Sequence, residues 1–108
     1  MTSTANALQD LFNRIPRRHS VENVQEINAI LAEYEDLLIS IEAENSFYEE
    51  NTPPFFDELE SVRSTIKNST NNKASKKMKD NLFDEGSGNL KDSMQALIAL
   101  YSDVSRNR

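Results

Sequence analysis

Hydrophobic residues return along one stretch of this chain at alternating gaps of three and four. Val24, Ile27, Leu31, Tyr34, Leu38 and Ile41 keep that rhythm, and on an α-helix it gathers them on one stripe. Written as a heptad, Val24 takes position a and Ile27 position d. Asn45 and Tyr48 continue the register, and Ile30 and Leu37 at g widen the stripe. The pattern predicts a single helix over residues 21–50, roughly 45 Å long at about 1.5 Å per residue. Ser20 stands before it as N-cap, its hydroxyl placed to accept from amides two or three residues on.

Three further segments share the period. Ala5, Leu8, Leu11, Phe12 and Ile15 predict a short amphipathic helix over 4–15, which Pro16 ends by removing a donor and restricting Ile15. Asn51-Thr52-Pro53-Pro54 breaks the long helix. Thr52 can cap the next one, and Pro53 is tolerated in a first turn. Phe55, Leu59, Val62 and Ile66 then predict a helix over 53–68. Residues 69–77 are small, polar and basic and read as an exposed loop. Met78, Leu82 and Phe83 suggest a turn or two of helix, stopped by Gly86-Ser87-Gly88. Asn89 then caps a last helix over 89–106, carrying Leu90, Met94, Leu97, Tyr101 and Val104.

A stripe left in water would cost roughly 1.5–3 kcal/mol per large side chain, so these helices must cover one another. The tight connection at 51–52 favours an antiparallel hairpin. The expected fold class is all-α: one domain over 1–108, an antiparallel three- to four-helix bundle with a long heptad-patterned second helix.

Charge changes the picture. The net charge is −6, yet residues 21–60 hold twelve Asp or Glu and no Lys or Arg, so the rest of the chain sums to +6. Five of the bases are Lys67, Lys73, Lys76, Lys77 and Lys79. Glu35, Glu42 and Glu49 all fall at heptad position e, beside the seam. Two copies of this helix paired in parallel would set acidic flanks together, which opposes self-pairing through this element. The acidic ridge is left solvated or facing a basic surface. Arg63, Lys67 and Lys91 are the internal counter-charges the sequence offers. An acidic total also argues against direct nucleic-acid binding, which needs a concentrated basic face.

Candidate chemistry is sparse. There is no cysteine, which excludes disulfides and thiolate metal sites. No apolar run approaches the length of a membrane span, and no secretory segment opens the chain, so an intracellular protein, cytoplasmic or nuclear, is expected. The one histidine, His19, sits in the basic joint Arg17-Arg18-His19 and reads as a solvated loop residue. Nothing pairs it with a second imidazole, an HExxH pattern or a nucleophile. No cofactor, metal or catalytic set is expected, and the chain is read as a non-enzyme. Arg17-Arg18-His19-Ser20 fits a sequence read by basic-directed kinases, which makes Ser20 a candidate phosphorylation site at a helix N-terminus. Ala96 to Tyr101 is apolar nearly all round, so Ile98 and Leu100 are candidate contacts with another chain. Phe47 and Tyr48 are further candidates, as aromatics beside charge.

These features favour a protein–protein interaction module, an adaptor or accessory subunit of a larger assembly. The expected partner is another protein with a basic surface, with homo- or hetero-oligomerisation left open. Two alternatives share the pattern: an inhibitor of phage type that imitates nucleic acid in the basic groove of a nuclease complex, and a helical chaperone of a secreted or filament subunit.

Overall fold

The computed structural model describes residues 3–106, with the side chains of 4–101. Among these residues there are five helices and no strand: α1 (Ser3–Arg14), α2 (Val21–Glu42), α3 (Ser46–Asn51), α4 (Pro53–Asn68) and α5 (Lys76–Arg106). The chain is all-α, as the apolar spacing predicts.

Side-chain contacts fix the directions. Arg14 reaches Glu26 and Glu33, and Ala7 and Leu11 share a groove with Glu33 and Leu37, so α1 runs antiparallel to α2. Ser93 meets Glu58, whereas Gly86 faces Ile66, so α4 and α5 are antiparallel. His19 meets Asp80, Tyr34 meets Ser93 and Tyr101 meets Glu44, so α2 and α5 run the same way. Each of α1 and α4 lies between α2 and α5. Four helices thus form an up-and-down rod of 50 × 22 × 17 Å, with α2 and α5 on a diagonal and α3 closing one end.

The stripe read from the sequence is the core. Ile27, Leu31, Tyr34, Leu38 and Ile41 are buried, as are Ile30, Leu59, Val62, Ile66, Leu90, Met94 and Leu97, with Leu8, Leu11 and Ile15 of α1 joined to them. Val24 and Leu37 are half-buried against this cluster. At about 1.5–3 kcal/mol per large side chain, this burial is what holds the helices together.

Two boundaries differ from the sequence reading. The second helix does not run to residue 50. It ends at Glu42, and Asn45 restarts the chain by accepting the Tyr48 amide on its side-chain oxygen at 3.0 Å. An Asn side chain competes with the backbone for such donors, which favours caps over helix interiors. The new direction turns Tyr48 inward, where its ring stacks on Tyr101 at 5.3 Å. Thr52 then closes α3 by donating its hydroxyl to the Tyr48 carbonyl at 2.8 Å. It makes no side-chain cap on α4, whose start rests on Pro53 and Pro54.

The second difference is larger. Gly86-Ser87-Gly88 stops nothing, and Asn89 caps nothing: all lie inside α5, which begins at Lys76 with Ser75 accepting the Met78 amide at 3.1 Å. Neither glycine has positive φ. Gly86 is buried, and a Cβ built on it would fall 2.6 Å from Ile66 Cδ1. The missing side chain lets α5 approach α4. A helical glycine costs about 1 kcal/mol against alanine, which close packing of the two helices offsets. The basic loop shortens accordingly to 69–75, with Ser69 buried and donating to the Ile66 carbonyl.

Candidate functional site

The up-and-down course sorts the charges by end. One end, the base, gathers the 15–20 joint, the 69–75 loop and the first turns of α5. Arg17, Arg18 and His19 line one wall of a groove there, of about 310 Å³, with Lys76, Asp80 and Asp84 of α5 on the other. Lys67, Lys73, Lys77 and Lys79 belong to the same end, and residues 64–79 contain five lysines and no acid. His19 is no solvated loop residue. It is half-buried, edge-on to the Phe83 ring at 5.7 Å, with Nδ1 3.8 Å from the Asp80 carboxylate. Ser20 caps α2, accepting the Asn23 amide at 3.0 Å. Its hydroxyl is half-buried and engaged in that bond.

The opposite end, the tip, is made by residues 43–52 with the last turn of α2. Residues 39–57 hold Glu42, Glu44, Glu49, Glu50 and Asp57 and no base. Glu44 accepts the Tyr101 hydroxyl on both carboxylate oxygens, at 3.0 and 3.2 Å. Glu42, Glu49, Glu50 and Asp57 form no ion pair among the described residues. Phe47 packs edge-on to Tyr48 at 5.4 Å and stays 43% exposed.

Between the ends the acids are compensated. Arg14 spans Glu26 at 3.1 Å and grips Glu33 with both terminal nitrogens, at 3.1 and 3.3 Å. The bonds to Glu33 and then to Glu26 push the Arg14 guanidinium above its ordinary value. Arg63 joins Glu35 at 3.2 Å and Glu60 at 2.5 Å. The row Glu35–Glu42–Glu49 is therefore divided: Glu35 is half-buried and tied to Arg63, Glu42 is half-buried at the end of α2, and Glu49 is exposed on a separate helix. Arg63 acts as the counter-charge the sequence offered. Arg14 has no such signal in the sequence, because nothing in the linear pattern says that α1 folds back along α2.

The apolar candidates also divide. Tyr48 is buried, Ile98 and Leu100 are half-buried against the core, and Phe47 remains exposed. The strongly exposed large hydrophobics among the described residues are Val21 and Met78, which belong to the base, and Ile39 and Phe47, which belong to the tip.

One polar chain crosses the core. Ser93 donates to Glu58 at 2.7 Å. Its only proton is then committed, so Tyr34 donates to Ser93 at 3.0 Å. Burial pushes the Tyr34 phenol up to about 12, and the Glu58 charge adds to the rise. This chain opens on a groove of about 260 Å³ between α4 and α5, lined by Glu58, Ser61, Asn89, Asp92 and Ser93. Among the described residues no three acid or histidine side chains converge as a metal would need, and no helix is long and apolar enough to cross a membrane.

Comparison with protein-family models, curated proteins and solved structures finds no match to this chain.

Proposed function

We propose that this chain is an intracellular, non-enzymatic interaction module, an adaptor or accessory subunit of a larger assembly, whose tip docks a basic protein surface. The observation that carries this reading is the tip itself, where Glu42, Glu49 and Glu50 form no ion pair among the described residues and stand beside an exposed Phe47. Carboxylates there would steer a basic partner and set its orientation. Phe47 would supply a desolvated anchor. Capture experiments with the wild type, Phe47→Ala and the double change Glu49→Lys, Glu50→Lys test the proposal. A true partner is lost from both variants and released by salt. Capture that ignores both variants counts against the tip as the docking surface.

A second reading, the nucleic-acid mimic, draws support from the placement of the lysines. Residues 64–79 belong to the base, away from the tip, so they would not repel a basic groove that received the acids. Competition with DNA for a nuclease groove, relieved by Glu42→Lys with Glu49→Lys, separates this reading from the adaptor.

A further inference from the structure

We propose that the rod docks head to tail on a second copy of itself, the acidic tip of one molecule seated on the basic base of the next. This rests on the tip being a docking surface and names one occupant for it.

Four observations converge on a second copy. First, the two ends are complementary in charge: residues 39–57 carry five acids and no base, while at the base Arg17, Arg18 and the five lysines of residues 64–79 outnumber Asp80, Asp84 and Glu85. Second, both ends expose large apolar side chains, Ile39 and Phe47 at the tip and Val21 and Met78 at the base. Each end thus pairs a greasy contact with an excess of one sign of charge, and the signs are opposite. Third, the base is concave. Beside Met78 lies a shallow groove of about 300 Å³, lined also by Ser75, Lys77, Asn81, Leu82 and Glu85, which offers apolar surface to a ring such as that of Phe47. Fourth, the ends are at opposite extremes of a 50 Å rod. That is several Debye lengths at physiological salt, where the length is about 8 Å, so one molecule cannot satisfy both ends on itself.

The symmetry follows. Tip-on-base contact is heterologous, and repeated along the rod it gives an open chain or, if the rotation closes, a ring. The strength follows from the size of the ends. A backbone cross-section of 22 by 17 Å encloses about 300 Å², well below the roughly 800 Å² per partner of a stable interface. The association is therefore weak, reversible and salt-sensitive, and acts at high local concentration.

Sedimentation velocity on the pure full chain tests this. The 12.3 kDa chain runs as a monomer when dilute. In low salt it moves to faster, concentration-dependent boundaries towards about 1 mM, and association weakens about tenfold on raising NaCl to about 0.5 M. Lys76→Glu with Lys77→Glu disables the base, and Glu49→Lys with Glu50→Lys disables the tip. The base pair places the new charge where the α5 dipole favours it, and circular dichroism checks that both variants fold. Each variant alone loses association, and their equimolar mixture regains it. A dimer built on one end only predicts instead that one variant associates like wild type and that mixing adds nothing, which overturns head-to-tail docking. So does a wild type that stays monomeric in low salt. Titration with an oligo-arginine peptide, followed at Phe47 by NMR, separates the two proposals. Peptide binding at the tip by a chain that never self-associates leaves the docking surface intact and removes the second copy.

Discussion

Two glycines, Gly86 and Gly88, sit two residues apart inside α5, and alanine at each asks a different question. The backbone term is the same at both. Alanine in a helix interior is favoured over glycine by about 0.8–1.0 kcal/mol. At Gly88 no atom lies within 4 Å of the added Cβ, so the whole gain should appear, and Gly88→Ala should stabilise the fold by about 1 kcal/mol. At Gly86 the new methyl would lie 2.6 Å from Ile66 Cδ1 and 3.1 Å from Cγ1. Ile66 is fully buried, so its methyl has little room to swing, and α4 must shift or Ile66 leave its rotamer. Overpacking of this kind costs about 1–3 kcal/mol, which cancels or exceeds the helical gain. Gly86→Ala should therefore be neutral to about 2 kcal/mol destabilising. The two variants should differ by about 1–3 kcal/mol in urea unfolding, equivalent to several degrees in Tm for a domain of this size. Pairing Gly86→Ala with Ile66→Val, which removes the clashing methyl, should recover part of the loss. A Gly86→Ala protein as stabilised as Gly88→Ala would refute the close approach of α4 and α5.

Three further outcomes rest on named contacts. Tyr34 keeps its proton up to about 12 when folded and gives it up near 10 when unfolded. Its stability contribution is therefore full below pH 10 and declines as pH rises towards 12, by about 2–3 kcal/mol, and urea unfolding of Tyr34→Phe should lack that part of the decline. Asn45→Ala removes the cap of α3, which should cost about 0.5–2 kcal/mol and speed hydrogen exchange at the Tyr48 amide. Arg14→Ala should cost no more than about 1 kcal/mol because its pairs are exposed, and the difference from wild type should shrink in high salt, as denaturation at two ionic strengths would show.

The period of the apolar residues is enough to place α1, the start of α2 and the whole of α4, because Pro16 ends the first, Ser20 caps the second and Pro53 opens the third, each by a local effect. Asn45 fits the heptad seam, so periodicity alone carries the helix through it. Its side chain binds the Tyr48 amide instead, and that choice depends on Tyr101, far along the chain in α5, being in place to stack on Tyr48. Gly86-Ser87-Gly88 fails as a signal for the opposite reason. Glycine marks a stop locally, but here it answers a crowding at Ile66 that exists only once α4 and α5 are packed. Among the site residues, Glu42, Glu49 and Phe47 belong to the tip as an acidic and aromatic group. Glu35 is taken up by Arg63, Tyr48 by the core, and Ile98 and Leu100 lie half-covered. None of the last four could be sorted by spacing, since position on a stripe does not say which neighbouring helix covers it.

The end charges have an energetic signature that composition alone does not give. A helix favours acids in its first turn and bases in its last, by about 0.3–1 kcal/mol each when exposed. Two helix ends here do the reverse, one at each end of the rod, whereas Arg14, Glu22 and Lys67 follow the preference at the base. Helix α2 finishes on Glu42 with no base in its last turn, and Glu44 comes just after. Helix α5 opens on Lys76, Lys77 and Lys79 with no acid in its first turn. The N-terminal ends of α2 and α5 meet at the base, but the C-terminal ends of the antiparallel α1 and α4 meet there too, so the four dipoles largely offset one another. At Glu42 and at the lysines that open α5, the side-chain charge opposes its own helix end, at the expense of the folded monomer. Charges placed against local helix stability are what a surface selected for contact would carry. The same substitutions proposed to abolish docking, Lys76→Glu with Lys77→Glu, should accordingly raise the monomer's stability by up to about 1–2 kcal/mol. A loss of stability in that variant would mean that the lysines serve the fold, and the charge separation would then need no partner to explain it.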